Sequence, residues 1–163
     1  MSDWDAMVRE HAPLVYTTAK RILGRAADAE DVAQEVLLEA FRLAPNKTVR
    51  NWPGLLRRLT ACRAIDRLRQ RRNIQPLEGQ ALRDYAPGPE EAAMARELGE
   101  RLRHALAQLP PREAEVFCLR YFDDLSYQQI AESLDIQPGA VAQALHKARA
   151  RLEALLSEAV KGA

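Results

Sequence analysis

Nine lysine and arginine residues lie in one short stretch of the chain, residues 45–73, where Asp66 is the only acidic residue. The stretch has a local net charge of +8, whereas the whole chain of 163 residues has a formal net charge of +1. Such a concentration of one sign of charge is typical of a surface that binds a polyanion. A solvated helix face would carry the same charges, so charge alone leaves both interpretations open.

The residue types that commonly carry enzyme chemistry show no comparable concentration. His11, His104 and His146 are scattered, and neither an HExxH nor a CxxC motif occurs, which argues against a metal site. Glycine loops of the patterns GxxxxGK[ST] and GxGxxG are absent as well. Cys62 and Cys118 lie on or beside apolar helix faces, which indicates two buried thiols. The sequence therefore predicts no catalytic residue, no metal and no cofactor.

The composition predicts an all-α protein. Ala, Leu, Arg and Glu dominate, whereas the chain has 7 glycines and 9 prolines. No run of about 18 apolar residues occurs, so no transmembrane span is expected. The N-terminus also lacks the basic start and apolar run of a secretory signal. Two cysteines are too few for a disulfide scaffold, and we expect a reducing, cytoplasmic location.

Breaks in the apolar spacing divide the chain into two small helical domains joined by a flexible linker. Residues 1–73 form the first domain, with apolar positions spaced by three and four along three helices. Residues 74–95 contain five prolines and glycines and have a net charge of −3, which is typical of a linker. Residues 96–163 form the second domain.

Two local features predict how individual helices begin and pack. Asp28 stands where the N-cap of the second helix is expected, and Glu30 and Asp31 follow in the first turn, where the helix dipole favours acidic residues. Met94 and Leu98 share the apolar face of the helix that follows the linker. We therefore expect both side chains to point into the core.

The second domain has the pattern of a helix-turn-helix. Ser126 and Gln129 form a capping box, Asp135 tolerates the left-handed backbone of the turn, and Pro138 suits the first turn of the next helix. This layout places the longer helix in the major groove of DNA. An αα-hairpin without a DNA role has the same layout and remains open on this pattern alone. The outer side of the longer helix is expected to carry Ala140, Gln143, Ala144, Lys147 and Arg151.

Three stretches of the sequence together resemble one protein family. Residues 105–156, which read ALAQLPPREAEVFCLRYFDDLSYQQIAESLDIQPGAVAQALHKARARLEALL, resemble the C-terminal DNA-binding region of bacterial sigma factors, most of all the small extracytoplasmic-function (ECF) group. Residues 29–41, AEDVAQEVLLEAF, resemble that group's polymerase-binding helix, and residues 52–72, WPGLLRRLTACRAIDRLRQRR, resemble its promoter-melting helix. The resemblance implies a sigma factor that lends promoter specificity to RNA polymerase and has no active site of its own.

The resemblance also implies three sets of contact residues. The polymerase-binding set is Asp31, Gln34, Glu35, Leu38 and Arg42. The set for the minus-ten promoter element, which is bound as an unpaired strand, is Lys47, Arg50, Asn51, Arg57, Arg58, Arg63, Asp66, Arg67 and Arg71. The set for the minus-thirty-five element, which is bound as duplex, is Ser126, Tyr127, Gln137, Gly139, Ala140, Gln143, Ala144, Lys147, Arg149 and Arg151.

The recognition helix departs from the pattern of the family. Many members carry a basic residue, a serine and an arginine where this chain has Ala142, Gln143 and Ala144. Fewer arginines make fewer contacts to phosphates and guanines, although Gln143 suits adenine. We therefore expect an unusual or weakly bound upstream promoter element.

The implied partners are core RNA polymerase and promoter DNA, and an anti-sigma protein is a further candidate. The alternative is a helix-turn-helix regulator that binds duplex DNA and never joins polymerase, because the second domain alone fits both functions. The helix over residues 28–41 and the arginine-rich helix after it favour the sigma factor.

Overall fold

Seven α-helices make up the fold in the computed structural model, which describes residues 3–46, 49–74 and 89–161. In chain order they are α1 Asp3–Leu23, α2 Ala26–Leu43, α3 Trp52–Ile74, α4 Glu90–Leu106, α5 Pro111–Tyr121, α6 Tyr127–Leu134 and α7 Pro138–Lys161. A short 3₁₀ turn, Ala44–Asn46, follows α2, and no strand occurs in the described ranges. The predicted all-α fold is confirmed.

The N-terminal module consists of α1, α2 and α3, which pack on one another around a shared apolar centre. Ile22, Val36 and Leu56 supply one fully buried side chain from each helix. Burying a side chain of this size stabilises a fold by about 1.5–3 kcal/mol. Pro13 lies inside α1 without ending it, so one continuous helix spans the first predicted segment.

The start of α2 differs from the expectation. The helix begins at Ala26, its N-cap is Arg25 without a side-chain hydrogen bond, and Asp28 stands in the first turn rather than at the cap. Alanine is the best helix former, so Ala26 and Ala27 extend the helix toward its N-terminus. Asp28 instead forms an ion pair with Arg71 of α3.

The C-terminal module consists of α4 to α7, and α6 and α7 form the predicted helix-turn-helix. The Ser126 side chain accepts a hydrogen bond from the Gln129 backbone at 3.1 Å, and the Ser126 backbone donates to Gln129 Oε1 at 2.8 Å. Asp135 ends α6 in the left-handed conformation, with φ 55°. Helix α7 begins at Pro138. The capping box and the turn are therefore both confirmed.

Helix α4 packs differently from the expectation. Met94 and Leu98 are exposed, whereas Ala105 and Leu106 at its C-terminal end are buried. The prediction that Met94 and Leu98 point inward is wrong. Periodicity shows which residues share a helix face, but the neighbouring helices decide how far along the helix that face is covered.

The two modules contact each other along α3, which packs against α4, α5 and α6 as well as against α1 and α2. Residues 75–88, most of the predicted linker, lie outside the described residues. Among the residues that the structure describes, no helix is long and apolar enough to span a membrane.

Candidate nucleic-acid and protein interfaces

An ion-pair ladder joins α2 and α3. Its pairs are Arg63–Glu39 at 2.9 Å, Arg67–Glu35 at 3.1 Å, Arg67–Asp31 at 3.6 Å, Arg67–Asp28 at 3.7 Å, and Arg71–Asp28. The three arginines recur every four residues on α3, and their partners follow in reverse order on α2, because the two helices are antiparallel. In the α2–α3 ladder, Arg67 joins the predicted minus-ten set to Asp31 and Glu35 of the predicted polymerase set. Arg63 and Arg71 pair with Glu39 and Asp28, which belong to neither set.

Arg71 is the most enclosed arginine of the ladder, since its side chain is 11% exposed. Its Nη1 donates to the Leu23 backbone oxygen at 3.3 Å, at the C-terminal end of α1, where a cation is favoured. The same nitrogen lies 3.8 Å from Glu100 of α4. Arg71 therefore links all three helices of the N-terminal module to the first helix of the C-terminal module.

An exposed apolar patch lies toward the C-terminal end of α2. Leu38 and Phe41 are both more than half exposed, and the Trp4 ring packs edge-on against Phe41 with centroids 5.0 Å apart. Gln34 and Arg42 are exposed on the same helix. Apolar side chains rimmed by polar ones are typical of a protein-binding surface. Sequence reasoning missed Phe41, although it stands three residues after Leu38.

The other predicted minus-ten residues fall into two groups. Arg50, Asn51, Arg58 and Asp66 are exposed, whereas Arg57 is half-buried beneath the C-terminal module. Asn51 also caps α3, because its side-chain oxygen accepts a hydrogen bond from the Gly54 backbone at 3.1 Å. Lys47 lies outside the described residues.

The predicted minus-thirty-five residues lie mostly on the outer surface of the helix-turn-helix. The exposed members are Ser126, Tyr127, Gln137, Gly139, Ala140, Gln143, Lys147, Arg149 and Arg151. Ala144 differs, because it is buried in the core although it was expected on the polar side of α7. It follows the buried Val141 by three residues and precedes the buried Ala148 by four, so it belongs to the inner face.

Two arginines of α7 are held by side chains of α5. The Arg149 Nε donates to the Tyr121 hydroxyl at 2.6 Å, and its guanidinium lies 5.3 Å from the centre of the Tyr121 ring. Phe117 packs against the same ring with centroids 4.6 Å apart. The Arg151 Nε lies 2.9 Å from Glu113 Oε2. Sequence reasoning missed Tyr121, because its link to Arg149 spans 28 residues.

The two thiols are not poised for chemistry. The Cys62 thiol donates to Glu115 Oε1 at 3.0 Å, and burial together with this carboxylate raises the pKa of Cys62 to about 12. Burial also raises the pKa of Cys118. Both therefore stay protonated and poorly nucleophilic at neutral pH. Within the described ranges, no group of His, Cys, Asp and Glu could hold a metal ion.

Comparisons with known proteins decide the family. The Sigma-70 region 2 model matches residues 7–74, and the Sigma-70, region 4 model matches residues 99–152. The ECF RNA polymerase sigma factor SigL of Mycobacterium tuberculosis is 34% identical over 159 residues, which cover 94% of this chain and 88% of SigL. The chain belongs to the ECF sigma factors of the sigma-70 family.

Further relatives of this sigma factor agree. SigE of Mycolicibacterium smegmatis is 33% identical over 162 residues, which cover 97% of this chain. The chain spans 63% of the length of that relative. SigW of Bacillus subtilis is 29% identical over 156 residues, with 88% of this chain and 83% of SigW covered. A regulator that never joins polymerase is not favoured, because region 2 accounts for residues 7–74.

Two solved structures share the fold of this sigma factor. The sigma factor RpoE in complex with the anti-sigma factor NepR from Bartonella quintana gives a TM-score of 0.54 at 17% identity and covers 96% of this chain and 98% of that chain. CnrH in complex with the cytosolic domain of CnrY gives a TM-score of 0.58 at 20% identity, with 95% of this chain and 88% of that chain covered.

Proposed function

We propose that this protein binds core RNA polymerase and directs it to specific promoters as a non-catalytic subunit. Residues 1–73 bind polymerase and the minus-ten element, residues 74–95 form the linker, and residues 96–163 bind the minus-thirty-five element. The observation that carries the proposal is the exposed Leu38–Phe41 patch in the same module as the arginine-rich α3. The function requires a cytoplasmic protein, because bacterial chromosomal DNA and RNA polymerase are there.

The polymerase interface of this proposal is the outer side of α2. Leu38 and Phe41 supply apolar anchors, and Gln34 and Arg42 form part of a polar rim. Asp31 and Glu35 are held by Arg67, so their side chains are ordered before a partner arrives. Ordering a contact surface in advance lowers the entropy lost on binding.

The minus-ten interface of this proposal centres on the N-terminal end of α3 and the residues just before it. Arg50, Asn51 and Arg58 are exposed there. Cations and amide groups suit an unpaired strand, whose phosphates are charged and whose base edges are free. The ladder arginines border this basic surface, but their pairing with carboxylates of α2 leaves less of their positive charge to DNA.

The minus-thirty-five interface of this proposal is the outer face of α7. In this proposal Gln143 contacts adenine and the Ala140 methyl group contacts a thymine methyl, and both residues are exposed. Lys147 and Arg149 would contact phosphates. Because Ala144 is buried, the surface that contacts bases is smaller than the sequence indicated.

The two modules must separate for the protein to engage both promoter elements. Elements at minus ten and minus thirty-five lie about 25 base pairs apart, which is roughly 85 Å of B-form DNA. Helix α7, with 24 residues, is about 36 Å long. Modules that touch along α3 cannot span the larger distance.

Promoter-dependent transcription with purified core RNA polymerase on a genomic DNA library tests the proposal. We expect discrete start sites that require the protein, and we expect Leu38→Asp to abolish both those start sites and co-elution with core enzyme. Leu98→Asp is the matched control, because Leu98 is 62% exposed on α4 and Leu38 is 56% exposed on α2. Absence of protein-dependent start sites and of binding to core enzyme would contradict the proposal.

A further inference from the structure

Three aromatic rings meet at one end of the N-terminal module, and each of its three helices contributes one ring. Trp4 lies in the first turn of α1, Phe41 lies in the last turn of α2, and Trp52 is the first residue of α3. Helices that follow one another through short connections pack antiparallel, which brings the start of one helix beside the end of the next. We call these three residues the aromatic cluster.

Trp4 is the member of the aromatic cluster that contacts both other rings. Its ring centroid lies 5.0 Å from that of Phe41 at an interplanar angle of 69°, and 6.3 Å from that of Trp52 at 71°. Aromatic pairs favour such edge-to-face arrangements, because the positive edge of one ring meets the negative face of the other. Trp4 and Trp52 are half-buried and pack against the core, whereas Phe41 is 53% exposed. Trp4 therefore joins an exposed ring to the interior of the module.

Phe41 is an apolar ring that the fold leaves largely in water. Leu38, one turn earlier on α2, is also more than half exposed, and the adjacent Arg42 is exposed. An exposed side chain without fixed contacts samples several rotamers and loses that freedom when a partner binds it. The edge of Trp4 restricts the Phe41 ring before any partner arrives.

The second contact of Trp4 reaches the start of α3. Trp52 directly follows Asn51, whose side-chain oxygen accepts a hydrogen bond from the Gly54 backbone at 3.1 Å and caps the helix. Gly54 leaves room for this cap, because a Cβ atom there would stand 2.6 Å from Asn51 Nδ2. The backbone that follows the exposed Arg50 is therefore fixed by the cap and by the ring pair together.

We propose that Trp4 is a positioning residue of the polymerase interface, which holds the Phe41 ring outward in the orientation that core enzyme binds. Trp4 acts through Phe41, and this inference rests on the proposed function. Trp4 lies outside the contact sets that the sequence predicted, because its effect depends on a ring of another helix. A contact side chain that packing locks in place binds with a smaller loss of entropy than a free one.

A half-buried indole also stabilises the module simply by packing, and the two roles predict different results. Loss of packing alone lowers the free energy of unfolding and changes core binding by the same factor whether or not the Phe41 ring is present. Loss of positioning weakens core binding only while that ring is there to be positioned. A double-mutant cycle between Trp4 and Phe41 separates the two roles.

The test measures the affinity of the full chain for immobilised core RNA polymerase by surface plasmon resonance. We expect Trp4→Leu to weaken binding about fivefold, which is the size of effect that one aromatic pair produces. When Phe41 is already alanine, the same substitution should weaken binding by less than about twofold. Trp4→Phe keeps an aromatic edge against Phe41 and should restore most of the affinity.

Tyr16→Leu is the matched control for Trp4→Leu. Tyr16 is another half-buried aromatic residue of α1 that packs against the core, and it lies about 18 Å from Trp4 along the helix. Its replacement should lower the free energy of unfolding, measured by urea unfolding, and leave the affinity for core enzyme unchanged.

Tryptophan fluorescence of the free protein tests the contact without polymerase, because both tryptophans of the chain belong to the aromatic cluster. Phe41→Ala uncovers the edge of Trp4 and should shift the emission to longer wavelength. Met94→Ala is the control, because Met94 is similarly exposed, at 58%, on a helix of the other module, and it should leave the emission unchanged.

Equal affinities of the unaltered protein and Trp4→Leu, or the same loss with and without the Phe41 ring, would overturn the positioning role while the proposed function stands. An emission spectrum that Phe41→Ala leaves unchanged would overturn it as well. If Trp4→Leu does not fold, Trp4→Met, which keeps a long apolar side chain without a ring, decides by the same comparison. An unaltered protein that does not bind core enzyme would overturn the proposed function and this inference with it.

Discussion

Helices α3 and α7 both carry basic residues assigned to DNA, but their charges are used differently. On α3, Arg63, Arg67 and Arg71 lie against acidic residues of α2. On α7, Lys147 is exposed, and Arg149 and Arg151 are held by single side chains of α5 while remaining exposed. The number of arginines in a helix therefore does not measure how much positive charge is available to DNA.

The same comparison indicates which residues stabilise the fold and which are available to a ligand. An arginine that is enclosed and bonded to several groups loses the free energy of those bonds when it leaves them. An exposed arginine only replaces bound water and counterions by a phosphate. We infer that the ladder arginines act mainly in packing α2 against α3. We propose that the exposed Arg50 and Arg58 act mainly on DNA.

Arg71→Ala has the largest expected effect, because Arg71 bonds to the Leu23 oxygen and pairs with Asp28 and the buried Glu100. Removing one partner of an enclosed ion pair destabilises a protein by about 3 kcal/mol. Urea unfolding followed by circular dichroism measures the free energy of unfolding. Arg72→Ala is the control, since Arg72 is exposed on the same helix and should change that free energy by about 0.5 kcal/mol or less. Equal losses in the two variants would contradict the packing role.

Arg58→Ala is expected to weaken binding of the polymerase holoenzyme to a forked promoter fragment by about fivefold, which is ~1 kcal/mol. It should also reduce the slope of log affinity against log salt by about 1, because one phosphate contact is lost. Arg67→Ala is the matched comparison and should leave that slope nearly unchanged. Fluorescence anisotropy at several salt concentrations measures both quantities. A larger slope change for Arg67→Ala than for Arg58→Ala would contradict the inference that the ladder arginines act mainly in packing.

Tyr121→Phe should weaken binding to duplex upstream DNA by about threefold, because Arg149 loses the hydroxyl that orients it. Arg149→Ala should weaken it further and lower the salt slope by about 1. Combining the two substitutions measures their coupling. If Tyr121→Phe weakens DNA binding by the same factor when Arg149 is already alanine, Tyr121 does not act through Arg149.

The sequence by itself determined the family of this protein and the local structure of its helix-turn-helix. The capping box at Ser126, the left-handed turn at Asp135 and the start of α7 at Pro138 all follow from interactions between residues a few positions apart. Such interactions are fixed by the covalent geometry of one helix turn. The three motifs that resemble the ECF sigma factors are likewise visible in the printed order of residues, and the comparisons confirm that family.

The tertiary structure alone decided which charges pair, which faces are covered and which remain open. Arg67 meets Glu35 across 32 residues, and Thr18 meets Asp123 across 105. Helical periodicity also placed Met94 and Leu98 inside and Ala144 outside, and packing reversed all three. A period of 3.6 residues fixes the direction of a side chain relative to its own helix. What surrounds that side chain depends on how helices that are distant in the sequence pack against one another.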